Sequence, residues 1–182
     1  PVITGSTASL TAINEDGTAT GSQVSSLLSG ITFSDATDAV SGGSSANTWA
    51  GVVITGYSYD SSKGDWYYSS NNSTWTAFGA SLTETSARTL KTTDYVKFVP
   101  ASNWNGAAPT LTVAFVDSSA TVSTWASVTD ANTRGGTTAY SSGTVVISHT
   151  VTAVNDAPVA SGSSTLTAIT EDTSNPTGST VN

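Results

Sequence analysis

The sequence predicts an all-β protein folded as an antiparallel β-sandwich. Apolar and aromatic runs of strand length recur along the 182 residues, and turns rich in Gly, Ser, Asn and Asp separate them. Thr and Val are frequent while Lys is scarce, which favours strands over helices. No amphipathic helix of useful length is predicted. Short strands separated by turns along a whole chain are typical of a sandwich.

The strands are predicted from their alternating apolar residues and from the turns between them. They cover residues 8–13, 24–33, 51–59, 65–69, 74–78, 87–90, 94–100, 111–117 and 138–154. Gly30 is expected at a bulge in the second strand. Residues 118–137 are polar and are predicted to be irregular. In the last strand, Val145, Ile147, His149 and Val151 share one face, so we interpret the single histidine as a core residue.

Composition and charge narrow the possible functions. The net charge is −8, with thirteen acidic and five basic residues, which argues against binding to nucleic acid or to an anionic membrane surface. No apolar run is long enough to span a membrane, and no signal peptide is evident. Cysteine is absent, so stability must come from the core, from a metal or from neighbouring copies. Acidic residues in a chain with few charges suggest binding of Ca²⁺, which takes oxygen ligands.

The start of the chain is repeated near its end. Residues 166–172 (Leu-Thr-Ala-Ile-Thr-Glu-Asp) repeat residues 10–16 (Leu-Thr-Ala-Ile-Asn-Glu-Asp), and Pro158-Val159 repeats Pro1-Val2. Internal repetition at a fixed spacing indicates a tandem array. We therefore predict one complete sandwich repeat over residues 1–157 and the opening strand region of the next repeat over residues 158–182.

Several motifs, taken in order, resemble those of one protein family. They are Glu-Asp at 15–16, Asp-Trp-Tyr-Tyr-Ser at 65–69, Phe-Val-Pro at 98–100 with Trp-Asn-Gly at 104–106, the strand at 111–117, and Val-Asn-Asp-Ala-Pro-Val at 154–159. Together they resemble the cadherin-like, immunoglobulin-like tandem repeats of giant bacterial surface adhesins of the RTX type, which include VCBS-like repeats. The resemblance implies an immunoglobulin/cadherin-like sandwich of Greek-key type. It also implies a non-enzymatic structural repeat of a secreted adhesin or extracellular fibre on the bacterial surface.

The same resemblance implies Ca²⁺ between successive domains. Candidate ligands are Asn155 and Asp156 at the joint, Glu171 and Asp172 in the next repeat, Glu15 and Asp16 acting with an Asn-Asp before Pro1, and Asp35 and Asp117 as further ligands. The simpler alternatives stay open at this stage. Residues 156–158 could form only a turn and stop, and Asp35 with Asp38 could cap a turn rather than share a cation.

Two other functions are alternatives to that of a structural repeat. Trp49, Trp66 and Trp75 could form an exposed platform that binds a glycan or a host surface, although packing between strands is the simpler interpretation of such rings. An enzyme is not expected, because the chain has a single histidine, no cysteine and no Gly-x-Ser-x-Gly elbow.

The segment after the joint should have no core of its own. We expect residues 164–170 to pair with a β-sheet, either of a following domain in the same chain or of a neighbouring copy. Neighbouring copies are therefore the expected partners, and a filament joined by strand exchange is an alternative to a simple string of domains.

Overall fold

A computed structural model describes residues 1–36, 39, 41 and 45–180 of the chain. Its strands are β1 (Val2–Thr4), β2 (Thr7–Ser9), β3 (Ile13–Asn14), β4 (Ser22–Gln23), β5 (Thr32–Ser34), β6 (Trp49–Tyr57), β7 (Gly64–Ser69), β8 (Thr76–Ala77), β9 (Ala87–Lys91), β10 (Tyr95–Pro100), β11 (Gly106–Ala107), β12 (Leu111–Asp117), β13 (Ser127–Val128), β14 (Tyr140–Ser148) and β15 (Thr150–Thr152). One helical turn, α1 (Val24–Leu27), lies between β4 and β5. Within the described residues, no helix is long and apolar enough to cross a membrane.

The strands form the predicted β-sandwich. One sheet has the order β13-β9-β6-β12-β14-β2. Opposite it lie the sheets β4-β10-β7-β8 and β11-β15-β3, and β1 pairs with β5. Neighbouring strands are antiparallel except for β2 on β14 and β3 on β15, which are parallel. The prediction of an all-β, antiparallel sandwich is confirmed.

The main core lies between the sheets. Val52, Ile54 and Phe115 of the six-stranded sheet are buried in one cluster with Trp66 of β7 and Phe98 of β10. The Trp66 and Phe98 rings meet edge to face, with centroids 5.7 Å apart. The Trp66 indole N–H donates to the Pro109 carbonyl over 2.7 Å, so the ring is buried without losing its hydrogen bond.

A smaller core covers the outer face of the six-stranded sheet. Val53, Ala114 and Val116 are buried there with Ala87 and Ala131. Other residues between positions 120 and 140 pack against this cluster, so the predicted irregular segment forms a third layer over the sheet. Strands covered on both faces consist of nearly continuous apolar residues, which explains why β6 and β12 lack a clean alternation.

The strand predicted over residues 24–33 is wrong. The helical turn α1 and the short strand β5 occupy this region, and Gly30 lies in the turn between them. Apolar residues at positions 24, 27, 28 and 31 have the spacing of one helix face, and all four belong to or pack against the main core. This spacing was a helix signal that the strand assignment overlooked.

The first and last predicted strands each divide in two. Residues 8–13 give β2 and β3, and residues 138–154 give β14 and β15, with His149 between the second pair. At both breaks the chain passes from the six-stranded sheet to the three-stranded sheet. The two segments therefore cross between the sheets side by side.

The chain enters and leaves the sandwich at opposite ends. The Ser142 N–H donates to the Pro1 carbonyl over 3.3 Å, which places Pro1 beside the start of β14. The Val154 N–H donates to the Glu15 carboxylate over 2.6 Å, beyond the end of β15. Because β14 and β15 each rise ~3.3 Å per residue, the chain covers about 30 Å along these two strands between the two places. We name them the entry end (Pro1, Ser142) and the exit end (Glu15, Val154).

Beyond the exit end the chain leaves the sandwich. Residues 153–180 form no strand and all of their side chains are exposed. Val159, Leu166 and Ile169 are 90%, 77% and 60% exposed, respectively. Residues 164–170 thus pair with no sheet among the described residues of this chain. Their pairing with another copy, and their assignment to a next repeat, stay predictions.

Candidate metal centre at the exit end

Glu15 is the best-placed acidic side chain at the exit end. One carboxylate oxygen accepts the Val154 N–H over 2.6 Å, and the other accepts the Asn105 side-chain N–H over 3.1 Å. The bond from Val154, and then that from Asn105, lowers the pKa of Glu15 below its ordinary value. Glu15 is therefore ionised at neutral pH. Its hydrogen-bond partner Val154 is the residue directly before Asn155.

The terminal strands fix the position of Glu15. β3 pairs in parallel with β15, and the Glu15 N–H donates to the Thr152 carbonyl over 3.0 Å. The Thr152 hydroxyl lies 2.7 Å from the Asn14 amide oxygen and 3.2 Å from the Ile13 carbonyl. The first and last strands of the sandwich thus end together at this site.

Sequence reasoning did not identify Asn105 or Thr152 as part of this site. Asn105 follows Trp104, whose ring packs edge to face on Phe98 with centroids 6.0 Å apart. Its place beside Glu15 depends on contacts across 90 residues of sequence, and no local pattern encodes such a contact. Thr152 could have been found only by aligning β3 with β15.

The structure corrects the expected partners of Glu15 and Asp16. We expected them to act with an Asn-Asp that precedes Pro1, but Pro1 lies at the entry end. The strands between carry the chain to the opposite end, where Glu15 accepts the N–H of Val154, the residue before Asn155. Asp16 follows Glu15 directly and is exposed. Asn155 and Asp156 are also exposed, as are Glu171 and Asp172 in the segment beyond them.

Asp35 lies at the entry end, away from Glu15. It is only 4% exposed, and one of its carboxylate oxygens lies 3.2 Å from the Pro1 nitrogen. The same carboxylate accepts the Asn47 N–H over 2.8 Å. A cavity of about 340 Å³ opens beside Pro1 and Asp35. Asp38, which we considered as its partner, lies outside the described residues.

Asp117 also lies towards the entry end, but it serves a turn. It is buried at the end of β12, and its carboxylate accepts the Ser119 N–H over 2.8 Å together with the Ser119 hydroxyl. The next residue, Ser118, donates its N–H to the Thr48 carbonyl over 2.8 Å. Asp117 thus caps the turn that begins the outer layer.

The eight predicted ligands therefore do not form one site within a single repeat. Two lie towards the entry end, four lie at or just beyond the exit end, and two lie in the exposed segment that follows. Within the part of the chain that the structure describes, no three His, Cys, Asp or Glu side chains are grouped so as to hold a metal ion.

The three tryptophans do not lie together in one exposed platform. Trp66 is fully buried. Trp49 stacks on Phe115 with ring centroids 4.7 Å apart, and its N–H donates to the Gly51 carbonyl over 2.7 Å. Trp75 lies under the Lys97 ammonium, which is 4.4 Å from the ring centroid. Each ring packs in a different place, as the simpler packing interpretation proposed.

His149 is buried beneath the N-terminal segment. It is 4% exposed, and its ring lies 5.9 Å from the Phe98 ring. Residues Leu10, Thr11 and Ile13 line the small cavity beside it. Burial lowers the pKa of His149, and the backbone of Leu10 opposes the shift only in part. This environment agrees with a core residue.

Comparison of the chain with protein-family models, curated proteins and solved structures found no match.

Proposed function

We propose that this chain is a structural repeat of a secreted cell-surface adhesin or extracellular fibre, and that it acts as an extender. The observation that supports this most directly is the placement of Pro1 and Val154 at opposite ends of the sandwich, about 30 Å apart along β14 and β15. A domain with this arrangement adds its full length to an array. The motif resemblance to bacterial surface adhesins suggests the same role.

The terminal strands also suit a chain under tension. Backbone hydrogen bonds join these strands along their length. The Val146 N–H donates to the Ser6 carbonyl over 2.8 Å. The Leu10 N–H donates to the Ser148 carbonyl and the Glu15 N–H to the Thr152 carbonyl, each over 3.0 Å. Because these strands are parallel and the chain ends lie at opposite ends, a pull along the array loads the bonds together in shear. Bonds loaded together resist rupture better than bonds that open one after another.

The joint between repeats is the place for Ca²⁺ in this proposal. Glu15, Asn155 and Asp156 offer oxygen ligands next to one another at the exit end, and the lowered pKa of Glu15 keeps it charged. Ca²⁺ binds six to eight oxygens, so residues of the following repeat would complete its shell. A short linker is flexible when free. A cation held by groups from both repeats would fix its angle.

A protein with two copies of residues 1–157 in tandem tests this function by small-angle X-ray scattering. We expect an extended particle about twice as long as one repeat, which becomes shorter on average when a chelator removes Ca²⁺. Glu15→Gln with Asp156→Asn in the first copy should abolish the response to the chelator. The matched control makes the same changes in the second copy, where no joint follows. A compact particle with the two copies side by side would contradict the extender role, and an extended particle indifferent to chelator would reject the calcium joint.

A further inference from the structure

The segment beyond the exit end carries a second copy of the segment that begins the sandwich. Residues 166–172 differ from residues 10–16 only in having Thr170 in place of Asn14. The backbone agrees as well, because Gly162 has φ +106° where Gly5 has φ +111°. Only glycine adopts this region readily. The likeness therefore covers sequence and local conformation.

Residues 1–16 fill a defined seat on the sandwich. β1 pairs with β5, β2 with the edge of β14, and β3 with the edge of β15. The side chains of Leu10 and Ile13 pack against the main core. The seat therefore consists of the strand edges that pair with residues 1–16 and of the core residues beneath Leu10 and Ile13. It ends at the exit end, where Glu15 makes its hydrogen bonds.

Within the described residues, the second copy of this segment has no such seat. Leu166 and Ile169, which correspond to Leu10 and Ile13, are 77% and 60% exposed. Val159, which corresponds to Val2, is 90% exposed. Large apolar side chains grouped in one exposed segment mark an interaction surface. The part of the chain that the structure describes thus holds two segments of one kind and one seat.

We propose that the seat of residues 1–16 is a docking site for residues 158–172 of a second copy of this chain. The donor's own seat is out of reach in this register. A parallel segment would need Pro158 at the entry end, about 30 Å from where Val154 leaves. Only three residues lie between Val154 and Pro158, and the four steps from one to the other span at most about 14 Å. Docking therefore joins the exit end of one copy to the entry end of another, and such a head-to-tail contact repeats into a filament.

The two segments compete for the seat on unequal terms. Ala160 replaces Ile3, and the donor segment is one residue shorter between its glycine and its leucine, so it makes fewer contacts. The resident segment is also tethered, which gives it an effective concentration on the order of millimolar. Exchange therefore grows with protein concentration and with any weakening of the resident segment. This inference goes beyond the extender role, which needs only copies within one chain.

Disulfide trapping in the full chain tests the docking. The chain has no cysteine, so Thr152→Cys with Thr170→Cys introduces the only pair. Thr170 takes the place of Asn14, which is paired with Thr152, and paired positions on neighbouring strands suit a disulfide. We expect oxidation at millimolar protein to give a ladder of linked chains on a non-reducing gel. Adding Leu10→Ala with Ile13→Ala should increase the linked fraction severalfold, whereas Leu166→Ala with Ile169→Ala should remove it.

Three results would overturn the docking: monomer at every concentration, a ladder unaffected by the changes at Leu166 and Ile169, or a disulfide closed within one chain. If Leu10→Ala with Ile13→Ala prevents folding, a peptide of residues 158–172 is added to that variant. Recovery of a cooperative melt supports docking, and no recovery overturns it. The scattering result on the tandem protein is independent of these outcomes, so the two proposals fail separately.

Discussion

His149 is the residue at which the N-terminal segment, the last strand and the core meet. Its ring lies beneath residues 10–13 and beside Phe98, and none of the side chains that line the adjacent cavity is titratable. The acidic residues nearest in sequence to residues 10–13 are Glu15 and Asp16, which come after that segment, and Lys97, beside Phe98, lies over Trp75. A protonated His149 ring could be solvated only if residues 10–13 moved away from it.

This burial predicts a pH dependence with a definite sign. The pKa of His149 is lowered in the folded protein, so the unfolded chain takes up the proton first as pH falls. The stabilisation is complete above the ordinary histidine pKa of about 6.5 and is lost as pH falls from there to the folded pKa. Urea unfolding at a series of pH values measures it.

His149→Leu is the variant for comparison, because the chain has no other histidine. The variant should keep the acid destabilisation caused by carboxylates at lower pH and lose the part that begins near neutrality. Identical pH profiles for the two proteins would show that His149 is not buried as described.

At the scale of the elements, how well each strand could be predicted from the sequence depended on the contacts that it makes. β7, β10 and β12 were predicted within one or two residues because aromatic and β-branched residues mark strands and Pro100 marks an end. The helical turn α1 was missed because a short apolar run fits both periods. The outer layer was missed because its alanines and valines are too small and scattered to indicate a core.

The candidate site was predictable only in part, for a related reason. Asn155 and Asp156 could be selected from their sequence alone. That Glu15 would lie beside them depended on the parallel pairing of β3 with β15, which brings together residues far apart in the chain. No periodic pattern carries that information.

The parallel pairing of the terminal strands predicts where an introduced disulfide would stabilise the fold. Ser9 and Ser148 are directly paired in the ladder, so Ser9→Cys with Ser148→Cys should form a disulfide without moving the backbone. Closing so long a loop stabilises the folded state by about 5 kcal/mol in the chain-entropy description. Thermal melting should show a higher Tm in the oxidised protein and no gain after reduction.

The matched control for this disulfide places one cysteine out of register. Thr11→Cys with Ser148→Cys places the pair beyond the ladder, and it should oxidise slowly and give little stabilisation. Equal behaviour of the two pairs would contradict the register of β2 on β14.

On the scale of the whole molecule, the chain enters the sandwich at one end and leaves it at the other, as the proposed extender role requires. The strands nearest the two ends are bonded to one another along their length, and the exit end presents Glu15 to the joint. The extender role depends on this geometry and on no single ligand.

Single-molecule pulling in two directions tests that geometry most directly. The chain is held by handles at residues 1 and 154, which loads β2–β14 and β3–β15 in shear, or at residues 1 and 142, which lie together at the entry end and open the strands one bond at a time. We predict a clearly higher rupture force for the first direction. Equal forces in the two directions, or a higher force for the second, would contradict the account.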